Sequence, residues 1–158
     1  MRLKGDAPAY WQAADEFFQV VRQYEDYLMR GLRELDLYPG QPNILYCLYK
    51  TPGISQQGIA EELGITRAAV GKSLRSLERE GLVTRKVNAD NRRSNRIALT
   101  EAGRTRLEAC DAYLDRLDHA LFGGFTQQEL AAWRLAMAAL RQELTGLSRN
   151  QAHKEEEP

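Results

Sequence analysis

The stretch from Ile54 to Thr100 constrains the chain most, because within it a helical period gives way to a strand period at a single glycine. Ser55 has the chemistry of an N-cap, Ile59, Ala60 and Leu63 share one helical face, and Gly64 offers the left-handed conformation that ends a helix. Thr66 is a second N-cap, after which Val70, Leu74 and Leu77 fall at i, i+4 and i+7 and Gly81 closes the helix. Two short helices meeting across a glycine-containing turn form a helix-turn-helix. Leu82–Val87 and Arg96–Leu99 then read as strands, joined through the turn formers Asn88, Ala89, Asp90 and Asn91. The hairpin carries Arg92, Arg93 and Arg96, too charged for a sheet packed on both faces, so it projects into solvent or onto a polyanion. The pattern is that of a winged helix-turn-helix, which puts one helix into the DNA major groove and a β-hairpin beside it.

Charge favours the polyanion. The face of the second helix opposite Val70 carries Ala68, Lys72, Arg75 and Arg79, with Ser76 and Gly71 at its margins. From Thr66 to Thr100 nine basic residues (Arg67, Lys72, Arg75, Arg79, Arg85, Lys86, Arg92, Arg93, Arg96) stand against three acidic ones (Glu78, Glu80, Asp90). That segment is +6 in a chain with 22 residues of each sign, so the remainder is −6. A neutral protein divided into a cationic module and an anionic body suits one that meets phosphate on one face. The blander reading is a merely solvated basic face. Gly71 costs about 1 kcal/mol against alanine inside a helix. Two reasons fit it: close approach to a sugar-phosphate strand, or tight packing on the neighbouring helix.

From about Gly40 to Arg104 the chain resembles the multiple antibiotic resistance regulator (MarR) family of bacterial transcription factors. The matching residues are ISQQGIAEELGITRAAVGKSLRSLEREGLV for the helix-turn-helix, Asp90 to Arg93 (DNRR) for the wing, and Leu99 to Arg104 (LTEAGR) opening the next helix. A winged helix is shared by many families, whereas this wing motif followed at this interval by LTEAGR is much more specific. Members commonly carry serine or threonine after the recognition-helix valine, and here that position is Gly71. The resemblance implies a winged-helix homodimer whose N- and C-terminal helices interlock.

At 158 residues, 43% hydrophobic and 28% charged, the composition is that of a soluble chain of one domain, or of one domain with helical extensions. No apolar run approaches the length of a membrane span, and the N-terminus lacks the apolar core of a signal peptide, so a cytoplasmic protein is expected. Cys47 and Cys110, with His119 and His153, make neither a disulfide framework nor a metal set, and no cofactor is implied. No nucleophile and base pair suggests an enzyme.

Helix 1 is expected from Ala9 to Leu37, with Trp11, Ala14, Phe18, Val21, Leu28, Leu32 and Leu35 stepping by three and four except where Glu25 interrupts the seam, and Phe17, Val20, Tyr24 and Tyr27 widening the stripe. Such breadth suggests two packing partners, one inside the protomer and one outside. Helix 2, Gln41 to Lys50, contains ILYCLY, apolar nearly all round, and should be buried beneath the DNA-binding module. Thr100 caps a fifth helix bearing Leu107, Cys110, Leu114, Leu117 and Leu121, which Gly123 and Gly124 stop. Thr126 and Glu129 make a capping box for a sixth, with Leu130, Trp133, Met137, Leu140, Leu144 and Leu147. The expected organisation is thus an N-terminal dimerisation helix (9–37), a winged helix-turn-helix module (38–100), C-terminal dimerisation helices (101–147) and a disordered acidic tail (148–158).

The DNA-binding set is Ser55, Gln56, Thr66, Arg67, Ala68, Lys72, Arg75, Ser76, Arg85, Asp90, Arg92, Arg93 and Arg96. Lys72 and Arg75 are the candidates for base edges, and Arg92 for the minor groove with Asp90 orienting it, as the family motif implies; Asp90 as a plain turn former is the alternative. Arg85, Arg93 and Arg96 are assigned to phosphate, and Thr66, Arg67 and Ala68 to a backbone phosphate contact or a thymine methyl. Trp11, Phe17, Tyr24, Tyr27, Tyr46 and Tyr49 are candidates for a pocket holding a small aromatic or phenolic ligand, as in many members of the family, against the plainer reading of core aromatics. The expected fold is mainly α with a small β-wing. The expected function is sequence-specific binding of double-stranded DNA at a pseudo-palindromic operator, as a homodimer and a ligand-responsive repressor. Rivals are a redox-responsive regulator acting through Cys47 or Cys110, and a protein-interaction module that never reads DNA.

Overall fold

The computed structural model describes residues 8–87 and 95–155, with side chains described for 8–85 and 96–148. In chain order the elements are α1 (Ala9–Glu34), α2 (Gln41–Lys50), α3 (Gln56–Leu63), α4 (Arg67–Arg79), β1 (Val83–Val87), β2 (Asn95–Leu99), α5 (Glu101–Phe122) and α6 (Gln127–Glu155). The fold is mainly helical with one two-stranded antiparallel sheet, in the register Val83↔Leu99, Arg85↔Ile97, Val87↔Asn95. The chain forms two compact units, Met1–Tyr113 and Leu114–Pro158.

In the first unit, capping chemistry sets the helix lengths. Ser55 Oγ accepts the Gly58 N–H at 3.0 Å and Thr66 Oγ1 accepts that of Ala69 at 3.2 Å, so both expected N-caps form. Three helices end in the same way. In α3, Ile65 N–H reaches back to the Ala60 carbonyl at 3.1 Å across Gly64. In α4, Leu82 N–H reaches the Leu77 carbonyl at 2.9 Å across Gly81. In α1, Leu37 N–H reaches the Leu32 carbonyl at 2.7 Å across Asp36. Each is a Schellman closure with its middle residue at positive φ: 63° at Gly64, 71° at Gly81 and 49° at Asp36. The expected α1 end at Leu37 is therefore corrected to Glu34. An aspartate supplies the left-handed turn that glycine usually supplies, and Leu37 folds back to be buried with Leu32.

The core of this unit is Leu32, Leu37, Ile44, Leu45, Cys47, Leu48, Ile59, Val70, Leu74, Leu77, Leu82, Val83, Ile97 and Cys110, all buried. Helix α2 spans the expected residues, but not with the expected burial on every side. Its period turns Tyr46 and Tyr49 outward, 52% and 50% exposed, away from the Ile44–Leu48 face. The α2–α3 loop joins the sheet through Gly53 N–H to the Ile97 carbonyl at 3.2 Å. At the start of α5, Thr100 Oγ1 accepts the Gly103 N–H at 3.0 Å and donates to the Gly81 carbonyl at 2.7 Å, tying the helix to the turn after α4. Tyr113 closes the unit by laying its ring over Gly31 and donating its hydroxyl to the Tyr27 carbonyl at 2.7 Å.

In the second unit the capping box forms as expected: Glu129 N–H donates to Thr126 Oγ1 at 3.3 Å and Thr126 N–H donates to Glu129 Oε2 at 2.8 Å. The Thr126 backbone N–H foremost, and then the Thr126 hydroxyl, which donates to Oε2 at 2.8 Å, hold the Glu129 carboxyl below its ordinary pKa. Phe122 packs against Phe125 and Trp133 at ring separations of 6.1 and 6.4 Å. Among residues 114–148 none is buried, and Leu121, Phe125, Trp133, Leu135, Leu140, Leu144 and Leu147 stand exposed. The expectation of a disordered tail from Ser148 is corrected as far as Glu155, where α6 ends. Neither glycine nor proline interrupts 148–155, so the helix propagates past its last apolar residue at little cost.

Candidate nucleic-acid interface

Helix α4 presents two unlike faces. Val70, Leu74 and Leu77 are 0% exposed and anchor the helix on the core, while Arg67, Ala68, Lys72, Arg75 and Arg79 are exposed on the far side. A helix so anchored cannot rotate without burying charge, so the orientation of the basic face is fixed by the hydrophobic seam. Arg79, which lies on this face but was not expected in the site, donates to Ser76 Oγ at 3.1 Å, and Ser76 in turn donates to Glu80 at 2.7 Å. Ser76 is thereby committed within its own helix.

Arg85, expected at phosphate, is paired within the protein. Its Nε lies 3.1 Å from Glu78 Oε2, and the side chain is 26% exposed. Opposite the buried Ile97 in the ladder, Arg85 sits on the face of the hairpin turned toward α4, which is why it meets a helix carboxylate. Arg96, one register step away, lies on the outer face, exposed, with its Cδ 3.6 Å from where a Cβ on Gly53 would stand. Periodicity carries no signal for the Glu78–Arg85 pair, which joins two elements across a turn. Asp90, Arg92 and Arg93, with the rest of the expected wing turn, lie outside the described residues.

Gly71 has a packing explanation. A Cβ there would stand 2.7 Å from Gln56 Nε2, and that nitrogen donates to the Arg67 carbonyl at 2.9 Å. The amide of α3 occupies the space that any side chain at position 71 would claim. Ser55 and Thr66, expected in the site, spend their hydroxyls as acceptors in caps.

The six aromatics expected in a ligand pocket lie on two helices, Trp11, Phe17, Tyr24 and Tyr27 on α1 and Tyr46 and Tyr49 on α2. Tyr27 and Tyr46, 59% and 52% exposed, lie under Arg30 and Lys50 at 5.0 and 5.7 Å, and Tyr49 under Arg104 at 5.4 Å. Phe17 and Tyr24 are exposed on α1, and Trp11 is half-buried there. A cavity of about 660 Å³ is lined instead by Arg33, Asp36, Leu37, Tyr38, Glu80, Leu82 and Arg106, none of the six. Arg106 donates to the Leu35 carbonyl and lies 3.4 Å from Asp36, clamping the end of α1 to α5.

Cys47 and Cys110 are each 1% exposed. Burial pushes both thiols up; the Glu62 carboxylate adds to this at Cys47, with Lys50 opposing, and Asp111 adds to it at Cys110. Neither has the accessible thiolate that a redox sensor uses. No described helix is long and apolar enough to cross a membrane, and no cluster of metal-binding residues occurs among the described residues.

Residues 37–94 match the model of the MarR family. The chain is 26% identical over 114 residues to the uncharacterised HTH-type transcriptional regulator YybA of Bacillus subtilis, covering 72% of this chain and 76% of that protein. It is similar to the crystal structure of the MarR family transcription regulator SP03579, with a TM-score of 0.74, 28% identity, and coverage of 89% of this chain and 93% of that one. Over that stretch the chain is similar to the MarR family. A mutant of Staphylococcus aureus MepR bound to an oligodeoxyribonucleotide is another structural relative, at a TM-score of 0.60 and 26% identity over 84% of this chain and 97% of that one. The fold is the winged helix of such proteins, and these likenesses support a DNA-binding transcriptional regulator.

Proposed function

We propose that the protein is a repressor that binds a pseudo-palindromic operator as a homodimer, responds to a small aromatic or phenolic ligand, and works in the cytoplasm. The observation that carries the reading is α4: an exposed row of Arg67, Lys72, Arg75 and Arg79 over a seam with no exposure at all. Such a helix serves the major groove, with Lys72 and Arg75 toward base edges, Arg96 toward phosphate, and Arg92 at the minor groove with Asp90 orienting it. Ser55, Thr66, Arg67, Ala68, Ser76 and Arg93 complete the contact set, while Arg85 acts through Glu78 to hold the hairpin against α4.

The dimer is supported by apolar surface that the protomer leaves open: Phe18, Val20 and Tyr27 on α1, and Leu135, Leu144 and Leu147 on α6, are all more than half exposed. A second copy covers such stripes and sets two recognition helices about 34 Å apart, one turn of DNA. The exposed tyrosines of α1 and α2 favour a ligand site completed by the partner copy. On this organisation α1 and the helices after residue 100 serve dimerisation, and the segment between them serves DNA.

The test is selection from a random duplex pool, followed by affinity for the selected operator and a scrambled duplex across a salt series. Arg75→Ala relaxes sequence preference, whereas Arg96→Ala weakens both duplexes alike and flattens the salt dependence by about two in a dimer, one per lost phosphate contact per protomer. Equal losses on both duplexes from Arg75→Ala, or a protomer mass by light scattering, overturn the assignment.

A further inference from the structure

Arg67, Gly71 and Arg75 stand at i, i+4 and i+8, one line along α4. The middle of that line has no side chain of its own. Gln56 fills it from α3: its Nε2 and Cδ lie 2.7 and 3.6 Å from where the Gly71 Cβ would be, with Arg75 Nη1 at 3.6 Å from the same point. The Gln56 side chain is only half-buried, and its bond to Arg67 lies at the exposed N-terminal end of α4, the part of a recognition helix that touches base edges.

The bond to Arg67 also fixes which way the amide points. A backbone carbonyl can only accept, so the Gln56 nitrogen must face it, and the amide orientation that is otherwise ambiguous is settled. One N–H is thereby used. The amide keeps one further N–H and its oxygen, a donor beside an acceptor in a fixed plane. Adenine offers the matching pair in the major groove, N7 as acceptor and N6–H as donor; guanine offers two acceptors and repels the amide oxygen.

We propose that Gln56, reaching across Gly71, reads an adenine in each half-site of the operator, in the place where a side chain at position 71 would otherwise act. This rests on the reading of α4 as the recognition helix. Gly71 is then a specificity-determining position by what it lacks: any Cβ there displaces the amide.

The experiment is selection from a random duplex pool by the full-length wild type and by Gln56→Ala, Gln56→Glu and Gly71→Ala, each first shown by thermal melting to be folded. Wild type enriches a symmetric motif with adenine at one position per half-site. Gln56→Ala and Gly71→Ala lose that preference by roughly 5- to 150-fold per half-site and keep the others. Gln56→Glu, whose carboxylate cannot donate to the Arg67 carbonyl or to N7, abandons adenine at that position, and cytosine, with its N4 donor, gains. An unchanged motif in Gln56→Ala overturns the proposal, as does an equal loss on operator and scrambled duplex, which would make Gln56 a phosphate contact. A wild type that enriches no motif refutes the reading of α4 itself, which separates that failure from this one.

Discussion

Replacing Gly103 by alanine tests how tightly α5 is seated on the turn that follows α4. Inside an ordinary helix the change gains about 1 kcal/mol, because alanine has the higher helix propensity. Here a Cβ at position 103 would stand 2.0 Å from the Leu82 carbonyl oxygen, 2.9 Å from its carbon and 3.3 Å from Leu99 Cδ2. Ordinary contact begins near 3.4 Å, so the helix start and the turn must separate by about 1.4 Å. A backbone carbonyl cannot rotate aside as a side chain does. The separation strains two bonds across the same gap, Thr100 N–H to Leu82 at 3.1 Å and Thr100 Oγ1–H to Gly81 at 2.7 Å.

Each such bond is worth about 0.5–1.5 kcal/mol net, and overpacking a closed site costs about 1–3 kcal/mol. Against the gain in propensity, Gly103→Ala is expected to destabilise the protein by about 2–4 kcal/mol. Urea unfolding followed by circular dichroism at one fixed protomer concentration measures it, the fixed concentration being needed because association would add to stability. A midpoint equal to or above that of the wild type would refute the argument and show that α5 is not seated as described. The same geometry explains why LTEAGR has its glycine where it does: the residue lies in the first turn of α5, over a carbonyl.

Two further outcomes follow from other positions. Asp36→Gly is expected to be neutral or stabilising by up to about 1 kcal/mol, because glycine adopts the 49° turn without strain and the Arg106 partnership, with the Asp36 side chain 85% exposed, contributes little; Asp36→Ala should lose stability in the same urea assay. The thiols of Cys47 and Cys110 should resist iodoacetamide in the native protein at pH 8 and react once it is unfolded, and rapid native labelling would restore the redox reading. Both thiols are raised in the folded state, so above the ordinary thiol pKa the unfolded chain loses its protons first and stability falls as pH rises.

What was legible in the sequence was what repeats or punctuates. The seam Val70, Leu74, Leu77 and the stops at Gly64 and Gly81 are local patterns with local causes, and they appear where expected. The end of α1 was not legible, because aspartate is a less obligatory left-handed residue than glycine and only the packing of Leu37 on the core selects it. The two reasons for Gly71 were indistinguishable in the sequence, since nothing local says that Gln56, fifteen residues earlier, comes to lie across it. Tyr46 and Tyr49 misled for a related reason: hydropathy makes ILYCLY apolar all round, whereas a tyrosine beside Lys50 or Arg104 is comfortable half in water.

The charge balance, recast with the structure, gains a division of labour. Two of the three acidic residues in the cationic segment sit at the end of α4, and both carry an arginine: Glu80 lies 3.9 Å from Arg79, and Glu78 3.1 Å from Arg85. The exposed pair adds little energy. The less exposed pair does more, because it links strand β1 to the helix it flanks. The remaining described cations, Arg67, Lys72 and Arg75 on α4 and Arg96 on the outer strand face, are exposed without an ion pair of their own among the described residues. Net charge therefore overstates what is offered to phosphate. Part of it is spent on rigidity, and among the described residues the part left over lies on one helix face and at Arg96 on the outer strand face, a distribution suited to positional reading of DNA.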